Sequence, residues 1–280
     1  MITDSTTFHS NIYSVSKVHT ISNNRFHQGA IIAVIFLTSW LFTGCSTVKS
    51  AKLWAPEAFG LVQIAPQIYV EKQLSKVQQK SLLKAIDTAR QRIHLYFGSV
   101  LSKPEILACA TETCYQSLGG MTSKANAYGE SKILLSPRGL TAPNIAREWS
   151  HIELYTKLDG FFTNSIPQWF DEGLGIVVSN EQTHSEKVWQ ELHAQGTLCP
   201  DLSNLQSEND WLRATKKYGD ASFSEAGYNV IYSCAGHEVR RWYRKAGRSG
   251  LAHFIETIRF NMTFEQAYAE SEGSIKTAQR

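Results

Sequence analysis

The sequence has no apolar run long enough to cross a membrane. Its longest, AIIAVIFLTSWLF from Ala30 to Phe42, has about 13 residues, whereas a spanning helix needs roughly 17–25. Lys17 and Arg25 precede this run, and positive charges before a short apolar core are typical of a signal peptide. An uncleaved anchor helix is the alternative that these residues leave open.

Cysteine is scarce, with five residues in 280. Cys45 directly follows Thr43 and Gly44, and the stretch LFTGC resembles the lipobox of bacterial lipoproteins. That resemblance implies that Cys45 becomes the lipidated N-terminus of the mature chain. We therefore expect residues 1–44 to be a lipoprotein signal peptide and 45–60 a tether. The protein would be a lipid-anchored cell-envelope protein facing the periplasm or the extracellular side.

The other four cysteines are an even number in a chain expected to be exported. In an oxidising compartment this favours two disulfides. The simplest of the three possible pairings joins Cys109 to Cys114 and Cys199 to Cys234, because it closes one short loop and one longer loop. A metal site built from all four cysteines is the competing interpretation, but their spacing is not that of a zinc ribbon.

The sequence also lacks a strong excess of charge of either sign. The formal net charge is +3, which is too balanced to indicate a nucleic-acid partner. Aromatic residues make up 11% of the chain, as expected of a packed globular protein rather than a disordered one.

Hydrophobic patterns after residue 60 predict strands first and helices afterwards. An amphipathic helix is indicated by Leu83, Ile86 and Ile93, with Gly98 as its C-cap. The remaining predictions are strands at 61–70 and 104–110, a strand or hairpin at 125–137, helices at 184–195, 225–245 and 249–258, and a short last helix. We expect an α+β fold, with a small mixed sheet followed by a mainly helical region.

The stretch REWSH, residues 147–151, lies on a predicted helix. Thr141 is a good N-cap, Pro143 fits the first turn, and the helix should end near Leu158. Residues four apart lie on the same face of a helix, which places Arg147, Glu148 and His151 together.

A second stretch, SIPQWFDEGLG, follows after a loop. Ser165 is a candidate cap and Pro167 fits the first turn of another helix. This places Glu172 more than one turn inside that helix, twenty-one positions after His151.

Together these stretches resemble the gluzincin zinc metallopeptidases, in their peptidase-MA-like branch. The resemblance rests on LLSPRGL, EWSHIEL, IPQWFDEGLG and EAGYNVIYS, and it covers most of residues 61–280. It implies a zinc ion held by His151 and Glu172, with Glu148 as general base towards a bound water. It also places Tyr228 near the site, as a group that could steady an oxyanion, although a structural role is the commoner one for such a residue.

Arg147 stands where the family has its first histidine ligand. A guanidinium has no acceptor for a metal and does not deprotonate in proteins, so Arg147 is not a ligand. Since a catalytic zinc usually has three protein ligands, a substitute would have to come from Asp171, His184 or His237. Alternatively, Arg147 pairs with Glu172 and supplies the positive charge itself.

Two functions follow from these residues. The first is a membrane-anchored zinc metallopeptidase that hydrolyses peptide bonds outside the cytoplasm. The second is an inactive pseudo-peptidase that binds a peptide or an envelope protein partner in the inherited cleft. Residue 147 separates them.

Overall fold

Five strands form one mixed sheet in the first half of the protein. The computed structural model describes residues 52–160, 165–219 and 226–273, with side chains in the last range from Val230 to Glu272. Cys45 and the side chain of Tyr228 therefore lie outside the described residues. All of these ranges belong to one unit of the chain, Val48–Arg280.

The sheet has the order β1-β2-β3-β5-β4, so β1 and β4 are its edges. Both outer pairs, β1 with β2 and β4 with β5, are antiparallel hairpins, whereas β2 with β3 and β3 with β5 are parallel. The strands are β1 Leu61–Ala65, β2 Ile68–Glu71, β3 Glu105–Ala108, β4 Ala125–Tyr128 and β5 Lys132–Leu135.

The two faces of the sheet pack into two different apolar clusters. Side chains alternate between faces along a strand, so Ile106 and Ile133 contribute to the large cluster shared with the helices. Their neighbours Leu107 and Leu134 contribute to a small cluster on the other side, together with Leu53. The central strands are thus covered on both faces, as parallel pairs require.

The strand predicted over 61–70 is in fact a hairpin. The chain turns at Pro66–Gln67, and Gln67 has a positive φ of 63°. Proline lacks a backbone N–H and is favoured in turns, so Pro66 was the signal for this break.

The predicted first helix is confirmed as α1, Lys76–Phe97. Ser75 and Gln78 form a reciprocal capping box at its start, and Gly98 ends it with φ 79°. Leu82, Ala89 and Ile93 form its buried stripe, so the prediction that Leu83 belongs to the apolar face is wrong, since Leu83 is exposed.

The two helices that carry the candidate site follow the sheet. The motif helix α3 spans Ala142–Lys157 with Thr141 at its N-cap position, as predicted, although the Thr141 side chain makes no capping bond. Helix α4 spans Gln168–Ser179 and has Pro167 at its N-cap, so the predicted cap at Ser165 is wrong. Glu172 still lies more than one turn inside α4.

The remaining helices complete a mainly helical second half. The predicted break between 245 and 249 is confirmed, because Gly247 adopts φ 63° and ψ −168° inside the last long helix. Two helices, the short α2 and α6, were not predicted from the hydrophobic pattern. The spans are α2 Glu112–Ser117, α5 Glu186–Ala194, α6 Glu208–Gly219, α7 Ala226–Arg259 and α8 Phe264–Gly273.

Both predicted disulfides are present. Cys109–Cys114 ties the end of β3 to α2, and Cys199–Cys234 ties the loop before α6 to α7. Among the described ranges, no helix combines the length and apolarity needed to cross a membrane.

Candidate functional site

The site lies where α3 and α4 pack against each other. A Cβ placed on Gly175 of α4 would lie 3.2 Å from Cγ of Arg147 and 3.4 Å from Nε2 of His151. A glycine here therefore lets α4 approach the motif residues closely. On the opposite side, a Cβ on Gly173 would lie 2.6 Å from the carbonyl oxygen of Ala235 in α7. The two glycines of DEGLG set how deeply α4 sits between α3 and α7.

Arg147 forms an ion pair with Glu172 across the two helices. Its Nη2 lies 2.7 Å from Oε2 of Glu172, and the two side chains are only 19% and 13% exposed. The guanidinium also lies over the ring of Tyr232, with Cζ 4.4 Å from the ring centroid. The other carboxylate oxygen of Glu172 accepts a hydrogen bond from Gln168 at 3.3 Å. Arg147 thus occupies a polar, nearly buried position with a carboxylate and an aromatic face as partners.

His151 is held by a second carboxylate rather than by Glu172. Its Nδ1 lies 2.8 Å from Oδ1 of Asp171. Tyr155, one helical turn later, donates a hydrogen bond to the other oxygen of Asp171 at 2.7 Å. Nε2 of His151 lies 3.8 Å from Oε2 of Glu172, too far for a hydrogen bond. Asp171 fixes the orientation of the imidazole, as carboxylates next to metal-binding histidines commonly do.

The charge on His151 is set by competition between burial and these carboxylates. Burial alone would lower its pKa, but Asp171, Glu172 and Glu148 raise the pKa to about 9. The imidazole is therefore protonated at neutral pH, and it would have to release this proton to bind a metal. For Tyr232, by contrast, burial raises the pKa to about 12, and the negative charge of Glu172 raises it further towards that value.

Glu148 is engaged with the sheet. One of its oxygens accepts a hydrogen bond from the backbone N–H of Ala127 in the edge strand β4, at 2.8 Å. Burial raises the pKa of this carboxyl, partly offset by the positive charges of His151 and Arg147. The residue implied as a general base thus clamps the motif helix to the edge of the sheet.

These residues do not fit a catalytic zinc ion. Three ligands are needed, yet only His151 and Glu172 remain, and Glu172 is bound by the guanidinium of Arg147. In the described part of the chain, the one group of three potential ligand side chains comprises Glu71, Cys109 and Cys114. Its two sulfurs are already joined in a disulfide.

The candidate substitute ligands are engaged in other contacts. Asp171 holds His151 and Tyr155. His184 makes a short hydrogen bond with Glu181, and Nδ1 of His237 lies 2.9 Å from Glu186. His237 also stacks on a tryptophan of α5. None of the three joins His151 and Glu172 in a ligand group.

Tyrosines are the part of the site that sequence reasoning missed. Tyr155 lies at i+4 from His151, and this spacing could have placed it on the motif face. Tyr232 contacts the guanidinium, lies next to the ring of His184 at 5.2 Å between centroids, and accepts a hydrogen bond from Trp211 at 3.3 Å. Tyr232 is one helical turn after Tyr228, the residue that the resemblance favoured, whose side chain is outside the described set.

Known proteins give no independent identification of this site. The chain matches no protein-family model, and a search of curated proteins finds none with significant similarity.

Proposed function

We propose that this protein is a peptidase-like binding protein of the cell envelope, in which Arg147 takes the place of a catalytic metal ion. The main support for this proposal is the ion pair between Arg147 and Glu172, at 2.7 Å. The same guanidinium lies over the ring of Tyr232. A buried carboxylate without a cation would be costly. A fixed guanidinium satisfies Glu172 without a metal, and it cannot activate a water as zinc does.

The gluzincin-like identity of the scaffold is part of this proposal. It is supported by the order of elements: a mixed sheet, then α3 with the x-E-x-x-H residues, then α4 with Glu172 facing α3. The orientation of His151 by Asp171 is also what a former metal ligand would retain. On this view the site lost its metal when residue 147 became arginine, and the helices kept their packing.

The ligand we propose is an extended segment of a peptide or envelope protein. Strand β4 is an edge of the sheet, and Ala127 directs its N–H away from β5 to Glu148 on the motif helix. Ladder hydrogen bonds alternate in an antiparallel pair, so the backbone groups of Ala125 point to the same edge, where Ala125 itself is buried. An edge strand can accept an extended chain by strand addition. At Ala127 the incoming backbone would replace the carboxylate of Glu148 as the partner of the N–H.

The absence of zinc chemistry is tested by calorimetry on the part of the chain after Cys45. We expect no zinc binding by the wild type, and zinc binding by Arg147→His, in which a third ligand replaces a repelling cation. His151→Ala in the Arg147→His background is the matched control and should abolish binding again. Tight one-site binding by the wild type that is lost on His151→Ala would contradict the proposal and favour the metallopeptidase.

Peptide binding is tested by selection from a displayed peptide library, followed by hydrogen exchange on the protein with a selected peptide. We expect new protection at β4, residues 125–128, and on the motif helix. The opposite edge strand β1, residues 61–65, is the internal control and should be unchanged. Protection at β1 alone, or no change at β4, would refute the proposed binding edge.

A further inference from the structure

Two aromatic side chains stand exposed at the N-terminal end of the described chain. Trp54 is 72% exposed and Phe59 is 44% exposed. Each has a lysine ammonium over its ring: Nζ of Lys132 lies 4.7 Å from the centroid of Trp54, and Nζ of Lys52 lies 5.7 Å from that of Phe59. Lys132 is itself buried and pairs with Glu105, so the exposed ring of Trp54 covers it. Exposed tryptophan and phenylalanine rings are side chains that a lipid–water interface accommodates.

The exposed rings are fixed to the domain. Leu53, between Lys52 and Trp54, is 7% exposed and packs in the small cluster against the sheet. Pro56 is also buried, and the turn Pro56–Phe59 ends at Gly60 with φ 91°. The sequence predicts a tether over 45–60, but from Leu53 on this segment packs against the folded domain. The orientation of Trp54 and Phe59 is therefore set by the fold.

The length of chain before this turn restricts what the rings can face. Trp54 follows Cys45 by nine positions, and such a segment spans at most about 32 Å when fully extended. A lipid on Cys45 would therefore keep Trp54 within this distance of the bilayer surface.

We infer that the turn with Trp54 and Phe59 rests on the bilayer surface and orients the domain above it. This inference rests on the lipid anchor proposed for Cys45. Glu57 lies exposed in the same turn as Phe59 and opposes the charge of Lys52. Insertion of the aromatic rings, rather than attraction to anionic headgroups, therefore provides the contact.

The test uses the full chain, processed in bacterial membranes and reconstituted into vesicles of phosphatidylethanolamine and phosphatidylglycerol. Trp54→Cys and Phe59→Cys are labelled with an environment-sensitive fluorophore, since the native thiols are in disulfides or carry lipid. Val77→Cys is the matched control, because Val77 is 80% exposed on α1, which packs on the opposite face of the sheet from Leu53. The parent chain without an added cysteine controls for labelling.

We expect labels at 54 and 59 to show blue-shifted emission and to lose most of their intensity to a quencher attached to the lipid. The label at 77 should be unaffected. Equal quenching at 54 and 77, or none at 54 in protein that floats with the vesicles, would overturn the inference but not the lipid anchor. Failure of the parent chain to float would overturn both the anchor and the inference. Neither result bears on the zinc and peptide experiments, which use the part of the chain after Cys45.

Discussion

The pairing of Arg147 with Glu172 can be measured as a coupling energy. Breaking a buried ion pair by removing one partner typically costs about 3–5 kcal/mol. These side chains keep 19% and 13% exposure, so we expect about 2–4 kcal/mol for Arg147→Met, including the lost contact with Tyr232. For a domain of this size that corresponds to a fall in melting temperature of roughly 5–15 °C. Glu172→Gln should cost less, about 1–3 kcal/mol, because Gln168 can still bond to it.

The double variant tests whether Arg147 and Glu172 stabilise the fold as a pair. If the residues form a pair, Arg147→Met with Glu172→Gln should be more stable than the sum of the single effects predicts, by about 1–3 kcal/mol. Urea unfolding with the disulfides intact measures all four proteins. The matched control is the exposed pair Arg138–Glu112, at 2.9 Å and 51% and 44% exposure. That pair should give a coupling of about 0–1 kcal/mol. A coupling near zero for Arg147 and Glu172 would refute the argument that the guanidinium replaces the metal.

Three further measurements test the surrounding structure. Cys199→Ser combined with Cys234→Ser should lower the free energy of unfolding by about 2–4 kcal/mol in urea titrations, and free thiols at these positions in the native protein would contradict the pairing. Gly173→Ala should cost about 1–3 kcal/mol, because its Cβ would lie 2.6 Å from the carbonyl oxygen of Ala235; an unchanged urea midpoint would mean that α4 and α7 are less tightly packed. NMR titration should show His151 losing its proton near pH 9, since its carboxylate neighbours outweigh burial. Because this pKa is raised above the value of about 6.5 in the unfolded chain, the stabilisation is complete below about pH 6.5 and disappears as the pH rises through 9. Titration near 6.5 would refute the charged state.

Local rules predicted most of the elements correctly. The capping box at Ser75, the C-cap at Gly98 and the break near Gly247 follow from side-chain and backbone preferences of a few adjacent residues. The failures were also local. Pro66 interrupts the apolar run for which a single strand was predicted. Ser165 has a side chain that can cap a helix, but the helix starts at Gln168. Helix α6 is rich in charged residues, yet Trp211, Ala214 and Tyr218 recur at spacings of three and four and pack on the large cluster, so its helical period was present in the sequence.

The disulfide pairing was one of three possibilities that the sequence left open. The even number of cysteines and the expected oxidising compartment favoured two disulfides. Only the fold brings Cys199, in a loop, next to Cys234 in α7. A separation of 35 positions is bridged because the loop before α6 packs over α7, which is a tertiary contact with no local signal.

The sequence by itself determined that residue 147 cannot bind a metal, because the chemistry of a guanidinium does not depend on its surroundings. It also determined which of Arg147, Glu148 and His151 share a helix face, because that follows from the helical period. Only the tertiary structure decided the partners of these groups. In the structure Arg147 pairs with Glu172, His151 contacts Asp171, and Glu148 accepts a hydrogen bond from Ala127. Partners across helices and strands depend on how α3 packs against α4 and the sheet, and the approach of α4 is set by glycines that lie outside the motif in sequence.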